Sequence, residues 1–421
     1  MSRARIAVAD DSSFIRRALA RLLADEPTLE VVGLASSGEE LLRRLDEWQP
    51  DAVVLDLSMP GIGGLLTLDA LLARRRVPVL ILSTHSRRGA PETIEALHRG
   101  ATDFVDKQQY SLVDFEALRQ VLVEKLHQIL AAGPPPHAAA AMSGAAGAEG
   151  AATTAEAAAA AVPAAAAPAG SRRPAARRQA RAASAGAAGG DARGAGQPAS
   201  DLPAAGIELV VLGASTGGPP AIERILGDLV DMGAALPVPV VVVQHMPPAF
   251  TRSFAERLDA RLPLRVREAA HHERLLAGVV YIAPGGLHLV VEREREALRA
   301  ALSLEPENAR HRPSVDVLFT SAAAATGGRL VAALLTGMGI DGAAAMAELA
   351  RAGVHTIAQD RASSVIFGMP RAAIEAGSAV EVLALDRIGP RLRELLATSL
   401  RGTLPGRAAG GASPPASDGR G

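Results

Sequence analysis

Gly213-Ala214-Ser215-Thr216-Gly217 fits the pattern G-x-S-x-G. That pattern sets a serine on a tight strand-to-helix turn, where only glycine neighbours fit and the start of the helix offers N–H groups to an oxyanion. A hydroxyl is a weak nucleophile without a base. His245 ends the apolar run that begins at Val238, and Asp341 closes the segment Leu-Leu-Thr-Gly-Met-Gly-Ile-Asp that follows another apolar run. Residues at the ends of parallel strands share one sheet edge, so Ser215, His245 and Asp341 are expected to meet as nucleophile, general base and orienting acid. The chain order Ser, His, acid differs from the Ser, acid, His of α/β-hydrolases, so a different scaffold is expected. Two other readings stay open: a binding module with a silent hydrolase site, and a glycine-rich turn that cradles phosphate. Against a dinucleotide site, Gly213–Gly218 is not G-x-G-x-x-G, and no acid ends the second strand of that segment.

A second constellation lies nearer the start. Asp10 and Asp11 follow the first apolar run, Asp56 ends the third, Ser83 the fourth and Lys107 the fifth. Crowded carboxylates repel one another and bind a hard cation such as Mg²⁺ through oxygen. The cation would neutralise a phosphoryl group carried by Asp56, while Lys107 pairs with its oxygens and Ser83 donates to them. Asp11 or Ser12 taken singly would read as helix-capping residues; the set at matching strand ends reads as a pocket.

These positions require alternating elements. Apolar runs at residues 6–9, 31–34, 52–55, 77–82 and 104–105 alternate with helical patterns at 14–23, 39–45, 65–73, 90–97 and 113–130. Strands buried on both faces and separated by helices make a doubly wound five-stranded parallel sheet, with its ligand at the carboxyl ends. From Ile207 the logic repeats, with strands expected at 208–212, 238–243, 279–282, 330–335 and 354–358 and helices at 221–230, 248–257, 315–325, 342–352 and 370–375. The second domain is therefore expected to be a mostly parallel α/β fold. The expected boundaries are 1–130 and 206–400 for the two domains. Residues 131–205, rich in Ala, Gly and Pro, have little to bury and read as a flexible tether, and 401–421 as a disordered tail.

Composition limits the chemistry. The absence of cysteine excludes disulfides, thiolate metal sites and a cysteine nucleophile. A formal charge of −1 gives no general pull toward nucleic acid or membrane, and neither a signal segment nor a span of sufficient apolarity is apparent. A cytoplasmic location is expected. Nearly all basic residues are arginine; Lys107 and Lys125 are the two lysines.

Ala-Asp-Asp at 9–11, Leu-Asp-Leu-Ser-Met-Pro-Gly at 55–61, Ile-Leu-Ser at 81–83 and Asp-Phe-Val-Asp-Lys at 103–107 resemble the receiver domains of response regulators, which are flavodoxin-like. The resemblance implies that Asp10, Asp11 and Asp56 form a Mg²⁺ site, that Asp56 accepts phosphate from a histidine kinase, and that Ser83 and Phe104 are switch positions. Where that family usually has proline after the pocket lysine, this chain has Gln108. GASTGGP at 213–219, QHMPPAFTRSFAERL at 244–258, VYIAPGGLHL at 280–289, RPSVDVLF at 312–319, LLTGMGIDGA at 334–343, TIAQD at 356–360 and IFGMP at 366–370 resemble the chemotaxis protein-glutamate methylesterases, the CheB family. That resemblance implies hydrolysis of glutamate methyl esters on chemoreceptor cytoplasmic domains, and of receptor glutamines to glutamate. It assigns Ser215, His245 and Asp341 the three roles above, puts Thr216 beside the nucleophile to help place His245, and makes the backbone N–H of Met338 an oxyanion donor. The receiver is expected to cover the Ser215 cleft until Asp56 is phosphorylated.

Overall fold

A computed structural model describes residues 3–83, 89–107, 115–133, 206–230 and 236–402. Gln108, the tether beyond residue 133 and the tail beyond residue 402 lie outside the described residues.

The N-terminal half alternates β1 (Ala4–Ala9), α1 (Ser13–Ala24), β2 (Leu29–Ala35), α2 (Gly38–Trp48), β3 (Ala52–Asp56), α3 (Gly63–Arg74), β4 (Val79–Ser83), α4 (Gly89–His98), β5 (Asp103–Asp106) and α5 (Phe115–Ala132). The strands form one sheet in the order β2-β1-β3-β4-β5, and every pairing is parallel. The buried runs Ile6–Ala9 and Ala52–Leu55 explain why β1 and β3 sit inside, since both faces are covered by helices. Helix capping sharpens the turns: Ser12 and Ser37, both extended, accept from the N–H groups of Ile15 and Glu40. Between β1 and β3 the chain has gone out to β2 and returned, so a crevice opens at the carboxyl ends of these two strands.

The C-terminal half runs β6 (Leu209–Ala214), α6 (Gly218–Val230), β7 (Val240–Gln244), α7 (Phe250–Arg261), β8 (Arg265–Glu268), β9 (Glu273–Arg274), β10 (Val279–Ile282), β11 (His288–Glu294), β12 (Ala297–Ser303), α8 (Val315–Thr326), β13 (Leu330–Leu334), α9 (Ala343–Arg351), β14 (His355–Gln359), α10 (Met369–Glu375), β15 (Glu381–Leu383) and α11 (Leu385–Gly402). Seven strands make a wholly parallel sheet in the order β15-β14-β13-β6-β7-β10-β8, and β11, β12 and β9 make a small antiparallel sheet. The fold class agrees with the expectation. The five strands read as apolar runs are the inner ones. The sequence reading passed over β8, β9, β11, β12, β15 and α11, whose apolar runs are absent or shorter than those of the inner strands. β8 and β15 are short sheet-edge strands with charged residues, β11 is largely buried over His288–Val291 and exposed over its last three residues, and β12 mixes buried and half-buried positions. In the seven-stranded sheet the winding reverses at β6, between β13 and β7.

Candidate active site and phosphoacceptor pocket

Ser215 leaves β6 at that reversal. Its N–H donates to the carbonyl of Thr336 at 3.0 Å, and its carbonyl accepts from Gly218 N–H at 2.8 Å and from the Gln244 side chain at 2.9 Å. Gly217 has φ +77°, a conformation that glycine adopts at little cost and a residue with a side chain does not. Gly337 approaches Ser215 more closely still: a Cβ there would meet the Cβ of Ser215 at 2.8 Å and its nitrogen at 2.9 Å. The loop after β13 is thus laid directly on the Ser215 turn.

His245 follows β7 and Asp341 follows the β13 loop. Their side chains meet, His245 Nε2 to Asp341 Oδ2 at 2.8 Å, with both largely buried. Asp341 also receives the Ser314 hydroxyl at 2.9 Å and the N–H groups of Val315 at 2.7 Å and Asp316 at 3.1 Å, at the start of α8. Burial alone would raise its pKa. The bond to His245, the charge there and the two backbone donors outweigh that and hold the carboxyl well below the usual carboxylate range. A carboxylate facing Nε2 puts the ring proton on that nitrogen, which leaves Nδ1 the acceptor. Nδ1 is buried and has no hydrogen-bond partner among the described residues. The ring of His311 stacks on that of His245, 4.2 Å between centroids and 20° apart in plane. Burial, and then the charge of His245, push the His311 imidazole down to about 4, so it stands neutral beside its neighbour.

Ser215, His245, His311 and Met338 line one cavity of about 560 Å³. The N–H of Met338 makes no hydrogen bond among the described residues. Thr216 is placed differently from the expectation. Its hydroxyl donates to Asp103 Oδ2 at 2.5 Å, on β5 of the N-terminal domain, rather than to His245. The same carboxylate pairs with Lys125 at 2.5 Å. Residues 103–106 of β5 and Val121, Glu124 and Lys125 of α5 form the far wall of the cavity. Around it, Phe104 packs on Phe250 with centroids 4.6 Å apart, Glu95 pairs with Arg257, His98 with Glu223 at 2.9 Å, and Glu124 with Arg310 at 3.0 Å.

The other pocket forms at the crevice between β1 and β3. Carboxylate oxygens of Asp10, Asp11 and Asp56 all lie within 4.8 Å of one another. Lys107 Nζ reaches Asp10 at 2.7 Å and Asp56 at 2.8 Å, and its N–H donates to the Ser83 carbonyl at 2.7 Å. The Ser83 hydroxyl contacts that of Thr93. Burial, with help from Asp56, raises the pKa of Asp10 against the pull of Lys107. Burial would lower Lys107, but Asp56 and Asp10 outweigh it and raise its pKa. An all-oxygen donor set, two members buried and one exposed, suits a hard divalent cation.

Sequence reading missed Ser314, His311, Gln244, Gly337 and Asp103. Ser314 carried a signal, since Ser-Val-Asp before an apolar helix is a capping pattern. Gln244 acts through a side-chain hydrogen bond to the Ser215 carbonyl, and the others through packing or across the domain boundary, which leave no local pattern.

The comparisons with known proteins follow the same two halves. Residues 210–392 match the family described as CheB methylesterase, and residues 6–121 the response regulator receiver domain. A protein-glutamate methylesterase/protein-glutamine glutaminase of Symbiobacterium thermophilum is 40% identical over 385 residues, 91% of this chain and 94% of that protein. One of the same name from Geobacillus kaustophilus is 38% identical over 404 residues, 94% of this chain and 99% of that protein. The solved CheB methylesterase catalytic domain of Thermotoga maritima is 39% identical, covers 45% of this chain and 98% of its own, and has a TM-score of 0.43. Similarity at this level along both halves makes the chain a member of the CheB family of response-regulator methylesterases.

Proposed function

We propose that the chain hydrolyses glutamate methyl esters on chemoreceptor proteins, and glutamine side chains to glutamate, by a serine mechanism under phosphorylation control. The observation that carries the reading is the hydrogen bond to Asp341 from His245, which lines the same cavity as Ser215. His245 Nδ1 takes the proton of Ser215 Oγ as that oxygen bonds to the ester carbonyl carbon. Asp341 stabilises the resulting imidazolium. The carbonyl oxygen becomes an oxyanion, with the Met338 N–H as a donor to it. Collapse breaks the bond to methoxide, which takes the proton from His245 and leaves as methanol. Water then repeats the sequence on the glutamyl-enzyme and releases a carboxylate. With glutamine the leaving group is ammonia. Neutral His311 stacks on the imidazole without adding a second positive charge beside the imidazolium.

In the receiver, Asp56 accepts phosphate from a chemotaxis histidine kinase. Asp10, Asp11 and Asp56 would hold Mg²⁺, which when bound neutralises charge on the phosphoryl oxygens. Lys107 is already paired with Asp56, and Ser83 ends the adjoining strand. The receiver wall closes the cavity to a protein substrate, and phosphorylation shifts the equilibrium toward an open form; a differential of a few kcal/mol suffices. Both substrate and phosphodonor on this reading are cytoplasmic. No described helix is long and apolar enough to cross a membrane.

The test is methanol release from methylated receptor with and without a small phosphodonor. Wild type should release methanol faster with the donor. Ser215→Ala should release none in either condition, and Asp56→Asn should lose only the response to the donor. Undiminished release by Ser215→Ala would sink the serine mechanism.

A further inference from the structure

The wall opposite Ser215 is a helix that shows one face to the cavity. Val121, Glu124 and Lys125 stand at i, i+3 and i+4 of α5 and line the same space as Ser215 and His245. The charge of Lys125 is met by Asp103. Glu124 is met from the other side, by Arg310 of the catalytic domain at 3.0 Å. Arg310 lies beside His311 in sequence, lines the cavity itself, and keeps 73% of its side chain exposed. The cleft therefore holds a helix bearing a glutamate side chain, the chemical form in which the proposed reaction leaves its product. A guanidinium that pairs with this glutamate is available to a carboxylate at the matching position of another helix that takes the place of α5. We propose that Arg310 is a specificity-determining residue of the hydrolase, pairing with a carboxylate that neighbours the ester on a helical substrate, and that Glu124 occupies that place while the receiver covers the cavity. The inference rests on the hydrolase reading above.

The geometry makes Arg310 a shared contact. Closure and substrate binding compete for one guanidinium, so the receiver excludes substrate by occupying its charge partner as well as by filling space. Arg310 touches no reacting atom, so its loss falls on KM rather than kcat.

The test uses the full chain, activated with a small phosphodonor, on two methylated receptor fragments. One is natural; in the other the carboxylates flanking the methyl ester are replaced by glutamine. Neutralising the flanking carboxylates should raise KM for wild type by up to about fivefold, the upper end for an exposed ion pair. Arg310→Gln should raise KM on the natural fragment by a similar factor, show no further rise on the neutral fragment, and be partly rescued by Arg310→Lys. This non-additivity identifies the pair. An Arg310→Gln enzyme with unchanged KM on the natural fragment, or two effects that simply add, would overturn the inference. The substrate-side change tests the same pair with the wild-type chain. Ser215-dependent methanol release without this coupling would sink the inference alone and leave the hydrolase reading standing.

Discussion

At the scale of single residues, the relay is turned around. In the familiar serine protease arrangement the acid holds Nδ1 of the histidine and Nε2 serves the nucleophile. Here Nε2 meets Asp341, and Nδ1, which has no hydrogen-bond partner among the described residues, is the nitrogen that the proposed mechanism assigns to Ser215. The ring is supported across its face by His311 rather than only at its edge. That support has a pH signature. The unfolded chain titrates His311 near 6.5, while in the fold its pKa is about 4. Between those values the unfolded state binds more protons, so His311 makes the fold lose stability as pH falls through this window. Replacing His311 with Phe keeps a stacking ring and removes the titration. Denaturant unfolding at a series of pH values should show a flatter profile between 6.5 and 4 for His311→Phe than for wild type. Identical slopes would remove this account of His311.

At the scale of elements, the proposed catalytic residues depend on two turns pressed together. The loop after β13 lies against the Ser215 turn so tightly that Gly337 has no room for a methyl group. Gly337→Ala should therefore displace Ser215 from the carbonyl carbon it attacks. A kcat loss of about 10²-fold, the usual consequence of a misplacement near 1 Å, is expected; full activity in a stably folded Gly337→Ala protein would show the contact to be soft. What was legible in the sequence follows from the same geometry. Inner parallel strands are continuous apolar runs, and residues at their ends share one edge, so Ser215, His245 and Asp341 could be expected at one sheet edge, and the acids of the receiver at another, before any coordinates. Edge strands such as β8, with Arg265, Arg267 and Glu268, break the apolar run and could not. Thr216 could be assigned only to its own domain, because nothing near it in sequence announces a hydrogen bond to Asp103.

At the scale of the whole molecule, the receiver and the hydrolase share a boundary in which a few polar pairs surround packed aromatics. Arg257 is mostly buried, paired with Glu95 across the boundary and lying near Glu223. Charge-assisted hydrogen bonds of this kind contribute about 1.5–3 kcal/mol each. Arg257→Glu sets like charges against Glu95, so turnover without phosphodonor should rise about tenfold or more by that magnitude, while the phosphorylated rate changes little. An unchanged basal rate would place the restraint elsewhere. The strand β5 joins the two halves of this control: Lys107 follows its carboxyl end in the phosphoacceptor pocket, and Asp103 at its start binds both Thr216 and Lys125. Those are the only two lysines of the chain. The side-chain amines of the protein thus flank the strand through which its two sites touch, one held by the acids of the receiver and the other set in the wall of the hydrolase cavity. An amine-selective reagent consequently has two lysine targets, and the ratio in which it tags them is a native gauge of domain closure that requires no engineered label.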